Sequence, residues 1–87
     1  MRRRHRATLE GIFRRPTSGN IRWDDVESLL LACGAHIEER AGSRVGVRLG
    51  DSFRVLHRPH PGNNVDKGAV VKVREFLTRA GITPEEP

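Results

Sequence analysis

The sequence predicts an α+β fold in which a three-stranded antiparallel sheet carries two helices on one face, with a further short helix at the N-terminus. Two patterns predict it. Apolar residues recur at helical spacing at Trp23, Val26, Leu29, Leu30 and Cys33, and again at Ala69, Val70, Val73, Phe76, Leu77 and Ala80, so each set forms one stripe along a helix. Between them, Val45, Val47 and Leu49 alternate with Arg44, Gly46 and Arg48, the period of a half-buried strand. A sheet with one apolar face needs a cover, which two amphipathic helices supply. The other face is left open.

The elements follow in order. Residues 1–6 read as a disordered basic stretch. Leu9, Ile12 and Phe13 predict a short helix near 7–14 with Thr8 as its cap, ended by the turn cluster at 16–20. The next helix is expected at about 23–33. Asp24, Asp25 and Glu27 occupy its first turns, where the helix dipole favours negative charge. Ile21 is placed to staple onto Val26 if the helix starts at Arg22, and Gly34 is a natural stop. Residues 35–40 form a first short strand, and 41–43 a turn.

The second and third strands meet at Gly50-Asp51, and the loop length decides which side chains face inward. A two-residue loop pairs Leu49 with Ser52 and turns Arg54 onto the apolar face. A three-residue loop pairs Leu49 with Phe53 and Val47 with Val55. Burying Phe rather than Arg is favoured by about 2 kcal/mol or more, so the longer loop, or a bulge of equal effect, is expected. In that register His57 turns toward the helices. Pro59 and Pro61 end the strand, and 59–65 is a loop. Asp66 caps the last helix, Gly81 stops it, and Ile82 adds an apolar contact. Residues 83–87 form a loose tail.

With 87 residues the chain has the length of one domain, one that buries only about 60–65% of its unfolded surface. The net charge is +5, and fourteen of the sixteen basic residues are Arg, whose planar fork grips phosphate at two points. Residues 1–22 hold seven Arg and one acid, whereas 23–87 hold nine bases and ten acids. An N-terminal basic arm therefore carries the excess. It suits nucleic acid or an acidic protein, and equally a solubilising tail. The single cysteine, Cys33, allows no internal disulfide and fits a reducing cytosol; on its helix's apolar stripe it reads as core rather than nucleophile. No apolar run is long enough to span a membrane. The start of the chain lacks an apolar signal core, so export is not expected, and a cytoplasmic location is.

Alternation places Arg44, Arg48, Arg54 and Arg58 on the open face. Four guanidiniums on paired strands make a phosphate-gripping surface, with Gly46 leaving room for a backbone to approach. The competing reading is a solvated charged face, with Glu38 and Glu39 pairing some of the arginines. Lys67, at the start of the last helix, adds to phosphate attraction there. His57 and His60 sit in His57-Arg58-Pro59-His60-Pro61-Gly62. A histidine can act as acid or base in cleavage that uses the ribose 2′-hydroxyl, and neighbouring cations favour its neutral form. It can equally pack or hydrogen-bond at a strand end. His60, in the loop, is the better functional candidate; His57 reads as a packing residue, and His5 and His36 carry no supporting context. One Cys and scattered His give no zinc spacing, and no cofactor-binding loop is present. Neither a metal nor a cofactor is expected.

Taken together, 26–34, Gly42-Ser43, the two strands, His60-Pro61-Gly62, Lys67-Gly68 and Phe76-Leu77-Thr78-Arg79-Ala80-Gly81-Ile82 resemble the HicA family of bacterial toxins over about residues 20–83. The resemblance divides the chain into a basic arm (1–19), a HicA-like domain (20–83) and a tail (84–87). It implies a fold like the double-stranded-RNA-binding domain, endoribonuclease activity on mRNA, and neutralisation by a HicB-type antitoxin. The family usually carries a catalytic histidine directly after the Gly-Ser of the second strand. Here Arg44 follows Gly42-Ser43, and an arginine, with a pKa above about 12, cannot serve as a base. Three options follow: His60 transfers the proton while Arg44 stabilises phosphate charge, the protein binds RNA without cutting it, or the chain has another task. A module held only by an acidic protein partner competes with the RNA readings. DNA binding is weaker, since neither helix offers a basic face to the major groove.

Overall fold

A computed structural model of the protein describes residues 1–84; residues 85–87 of the expected tail lie outside the described residues. The elements run α1 (Arg3–Phe13), β1 (Ile21–Arg22), α2 (Trp23–Ala32), β2 (His36–Glu39), β3 (Arg44–Leu49), β4 (Ser52–His57), β5 (Asn64–Val65) and α3 (Lys67–Arg79). The main sheet is antiparallel with order β2-β3-β4, and β1 and β5 form a separate two-stranded pair. The fold is α+β, consistent with the double-stranded-RNA-binding-domain type, with an N-terminal helix added. Val45, Val47 and Leu56 on the covered side of the sheet join Trp23, Val26, Leu29 and Leu30 of α2 and Val70, Val73, Phe76 and Leu77 of α3 in one buried core.

Both main helices end as the sequence predicts. Asp66 caps α3, its carboxylate accepting from the Ala69 N–H at 2.8 Å. At the far end the Ile82 N–H donates to the Leu77 carbonyl and that of Gly81 to Thr78, which satisfies carbonyls that a helix end leaves open. Arg22 takes the N-cap position of α2 without a side-chain bond. The cap comes from a distance instead: Asn63 accepts from the Trp23 N–H through its carbonyl (2.7 Å) and from the Asp24 N–H through Oδ1 (3.0 Å). The expected loop at 59–65 therefore contains a short strand, because β5 pairs Val65 with Ile21 and Asn64 with Arg22.

The N-terminal expectation is corrected. The helix begins at Arg3 rather than Ala7, and Thr8 does not cap it; the Thr8 hydroxyl donates to the Arg4 carbonyl one turn back. His5, Leu9 and Ile12 fall on one face, and all three are buried. The His5 ring lies 3.0 Å from the Ser28 hydroxyl of α2. From α3, the buried Arg74 donates to the Ile12 carbonyl (3.0 Å) and the Thr17 hydroxyl (3.0 Å). A guanidinium at the end of α1 meets both its open carbonyls and the negative pole of its dipole. Burial, and then the charge of Arg15, lower the pKa of Arg74 from the usual arginine value.

The hairpin is corrected as well. Leu49 pairs with Ser52, Arg48 with Phe53, Val47 with Arg54 and Arg44 with His57, so the loop holds two residues, not three. Gly50 has φ +61°, the conformation that a two-residue hairpin turn demands of glycine at its first position. The register turns Arg54 to the covered side and leaves Phe53, Val55 and His57 on the open side. Arg54 escapes the expected burial cost because it lies at the sheet margin. About a third of its side chain (31%) stays exposed, and its head reaches Glu75 of α3 at 3.2 Å.

Candidate nucleic-acid interface

Register divides the four candidate arginines into two pairs. Arg44 and Arg48 project from β3 on the open face, as expected, and both are exposed. The Arg44 Nε donates to the Ala41 carbonyl at 3.2 Å, and the Arg48 guanidinium lies 5.0 Å from the centre of the Phe53 ring. Neither has a carboxylate partner among the described residues. Arg54 and Arg58 turn the other way. Arg54 pairs with Glu75. Arg58 grips Glu39 with two nitrogens, at 3.0 and 2.7 Å, and lies 3.8 Å from Glu27. The Arg58 hydrogen bond holds the Glu39 carboxyl below the usual glutamate range, and the same contact raises the pKa of Arg58.

Beyond the ends of these strands lies a shallow concavity of about 480 Å³, bordered by Gly42, Ser43, Arg58, Pro59 and His60. The Arg58 N–H donates to the Ser43 carbonyl at 2.8 Å, which continues the β3–β4 pairing by one step and brings the 59–62 loop against the turn at 41–43. His60 is exposed, and no hydrogen bond orients its ring among the described residues. Arg44 follows Ser43 directly. An imidazole, a paired guanidinium and the Gly42-Ser43 backbone thus share one hollow, with a second guanidinium next along the chain. A phosphodiester there would meet a proton acceptor and positive charge together.

A second groove, about 400 Å³, runs between β4 and the first half of α3, with Trp23, Arg54, Arg58, Val65 and Lys72 in its lining. The buried Trp23 indole N–H has no hydrogen-bond partner among the described residues. Lys67 opens α3 and is exposed, but it borders neither hollow; its stem lies beside Gly19. The structure therefore does not bring Lys67 together with His60. Cys33 packs against the core, and burial pushes its thiol pKa up, which disfavours the nucleophilic thiolate. Among the described residues no cluster of three or more His, Cys, Asp or Glu could hold a metal. No described helix is long and apolar enough to cross a membrane.

Two features of the open face escape the sequence reading: His57 stands opposite Arg44, and Phe53 is exposed beside Arg48 and Arg40. The signal for both was the Gly50-Asp51 turn, since a glycine first in a two-residue loop fixes which residues of β4 face out.

A family model described as "HicA toxin of bacterial toxin-antitoxin" matches residues 23–82, from the first residue of α2 to just beyond α3. The match takes in the whole sheet and the concavity and leaves out α1 and β1. No curated protein and no solved structure matches the chain.

Proposed function

The chain belongs to the HicA family of bacterial toxin–antitoxin toxins, and from that premise we propose that it is an RNA-binding endoribonuclease acting on mRNA, held inactive by a HicB-type antitoxin. One observation carries the catalytic part. The family resemblance implies a histidine directly after Gly42-Ser43, where this chain has Arg44, and His60 borders the hollow that Gly42 and Ser43 line. In this reading His60 takes the proton of a ribose 2′-hydroxyl as that oxygen attacks the adjacent phosphorus. The 5′-oxygen leaves and takes up a proton from the imidazolium or from water. The products are a 2′,3′-cyclic phosphate and a free 5′-hydroxyl. Arg44 and Arg58 stabilise the charge that builds on the phosphate oxygens, and Arg48 holds the strand. The acidic partner would cover the same cationic face.

A second reading, a non-catalytic RNA-binding or protein-interaction module, is favoured by Arg44 in the histidine's place and by the unoriented His60 ring. Purified protein, stripped of any copurifying partner, separates the two. The catalytic reading expects cleavage of mRNA that falls at least a hundredfold in His60→Ala while RNA binding persists. RNA bound but uncut by the wild type leaves the binder, and no RNA binding at low salt removes both RNA readings.

A further inference from the structure

The open face of the sheet holds a feature that proton transfer at His60 does not use. Phe53 is 44% exposed, whereas Trp23 and Phe76 are buried and Phe13 packs against the core. The Arg48 and Arg40 guanidiniums lie 5.0 and 5.4 Å from its ring centre. The Phe53 ring and the Arg40 side chain lie over Gly46. A Cβ there would come within 2.7 Å of the Arg40 Nε and 3.3 Å of two ring carbons. The bare glycine lets these side chains lie close to the sheet. Covering that glycine explains the ring's position, but not why an aromatic is left so open to water beside two guanidiniums. Of the two, Arg40 is ion-paired with Glu38 at 3.9 Å, while Arg48 has no carboxylate partner among the described residues.

We propose that Phe53, flanked by Arg40 and Arg48, is a stacking platform for an unpaired RNA base, so that the protein selects single-stranded over duplex RNA. The proposal rests on the RNA reading above and deepens it by naming the substrate class. A planar ring with cations around it matches a base carrying its phosphates: the base stacks, and the guanidiniums take the phosphates or stack in turn. Bases in a duplex are already stacked on one another and cannot lie on the ring. Arg48 opposite Phe53 and Arg44 opposite His57 are four residues apart on β3, about 13 Å. A single strand leaving Phe53 along β3 therefore reaches Arg44 and then the hollow that His60 borders.

The test uses the full chain free of partner and a 12-nucleotide 2′-O-methyl oligoadenylate, which cannot be cleaved through the 2′-oxygen, alone or annealed to its complement. The wild type is expected to bind the single strand more tightly than the duplex. Phe53→Ala weakens the single strand about tenfold, leaves the duplex nearly unchanged, and keeps the dependence of binding on salt, since no charge is removed. Phe53→Trp retains binding, and its new fluorescence is quenched by the oligonucleotide. Phe53→Leu keeps an apolar cover over Gly46 and carries the test if the alanine variant fails to fold; it loses affinity as alanine does. The proposal is overturned by Phe53→Leu binding like wild type, by a wild-type preference for duplex, or by loss of antitoxin capture with RNA binding unchanged. Wild-type protein that binds neither RNA overturns the RNA reading as well.

Discussion

Arg44 and Arg48 on one strand of the hairpin, and Arg54 and Arg58 on the other, have the same charge and opposite circumstances. The first pair faces open solvent with no carboxylate partner among the described residues. The second faces the helices and is engaged by Glu75, Glu39 and Glu27. An arginine's availability to a polyanion is thus set by the parity of its position and by what lies across from it. A count of cations on the hairpin would give four phosphate contacts, whereas the register leaves two free and two that must first exchange an internal carboxylate.

The comparison breaks most severely if the parity itself is changed. Deleting Ser52 while keeping the Gly50-Asp51 turn would pair Leu49 with Phe53, turn Leu56 outward and swap the faces of Phe53 and Arg54. The expected outcome is loss of a cooperative thermal transition rather than a rearranged fold, because Leu56 leaves a core in which it is 4% exposed. A third setting sharpens the contrast: Arg74 is buried and satisfied by a backbone carbonyl and a hydroxyl instead of an acid. Arg74→Ala strips these from the end of α1 and should cost about 2 kcal/mol in denaturant unfolding, with α1 amides losing hydrogen-exchange protection first. Smaller still is Glu39→Gln. It removes one of the two acids holding Arg58 and is expected to raise RNA affinity two- to threefold at low salt, read by fluorescence anisotropy. The smallest effect is acid titration. Arg58 lowers the folded-state pKa of Glu39, so the pair's contribution is present above the unfolded glutamate value of about 4.3 and is lost as pH falls through the lowered folded value. Carboxyl NMR should show Glu39 titrating below an ordinary glutamate.

Much of the fold was legible because its signals are local. Two apolar stripes, the Asp66 cap, the Gly81 stop and the alternation of β3 all lie within a few residues of what they determine. The features that were not legible depend on distant partners. The two-residue strands β1 and β5 exist only because each pairs with the other. Arg74 stands within the stripe of α3, four residues after Val70, but its partners on Ile12 and Thr17 are about sixty residues away. His5 shows helical spacing to Leu9 and Ile12, yet the basic run around it masked the pattern. The β4 faces were misread for an energetic reason. The cost assigned to Arg54 assumed a closed interior, and the sheet margin gave it both Glu75 and water. At the candidate site, His60 was identifiable by its loop and its neighbours, but its place beside Gly42-Ser43 follows from how β3 and β4 end together.

The most direct test of the account compares RNA binding by the double variant Arg44→Ala/Arg48→Ala with binding by Arg54→Ala, each over a range of salt concentrations. The open-face pair should lose affinity strongly, and its slope of log affinity against log salt should shrink by about 1.4 for two single-strand phosphate contacts. Arg54→Ala should leave the slope unchanged. Equal slopes for the double variant and the wild type, or a larger loss for Arg54→Ala, would contradict the assignment of the open face as the surface that meets RNA.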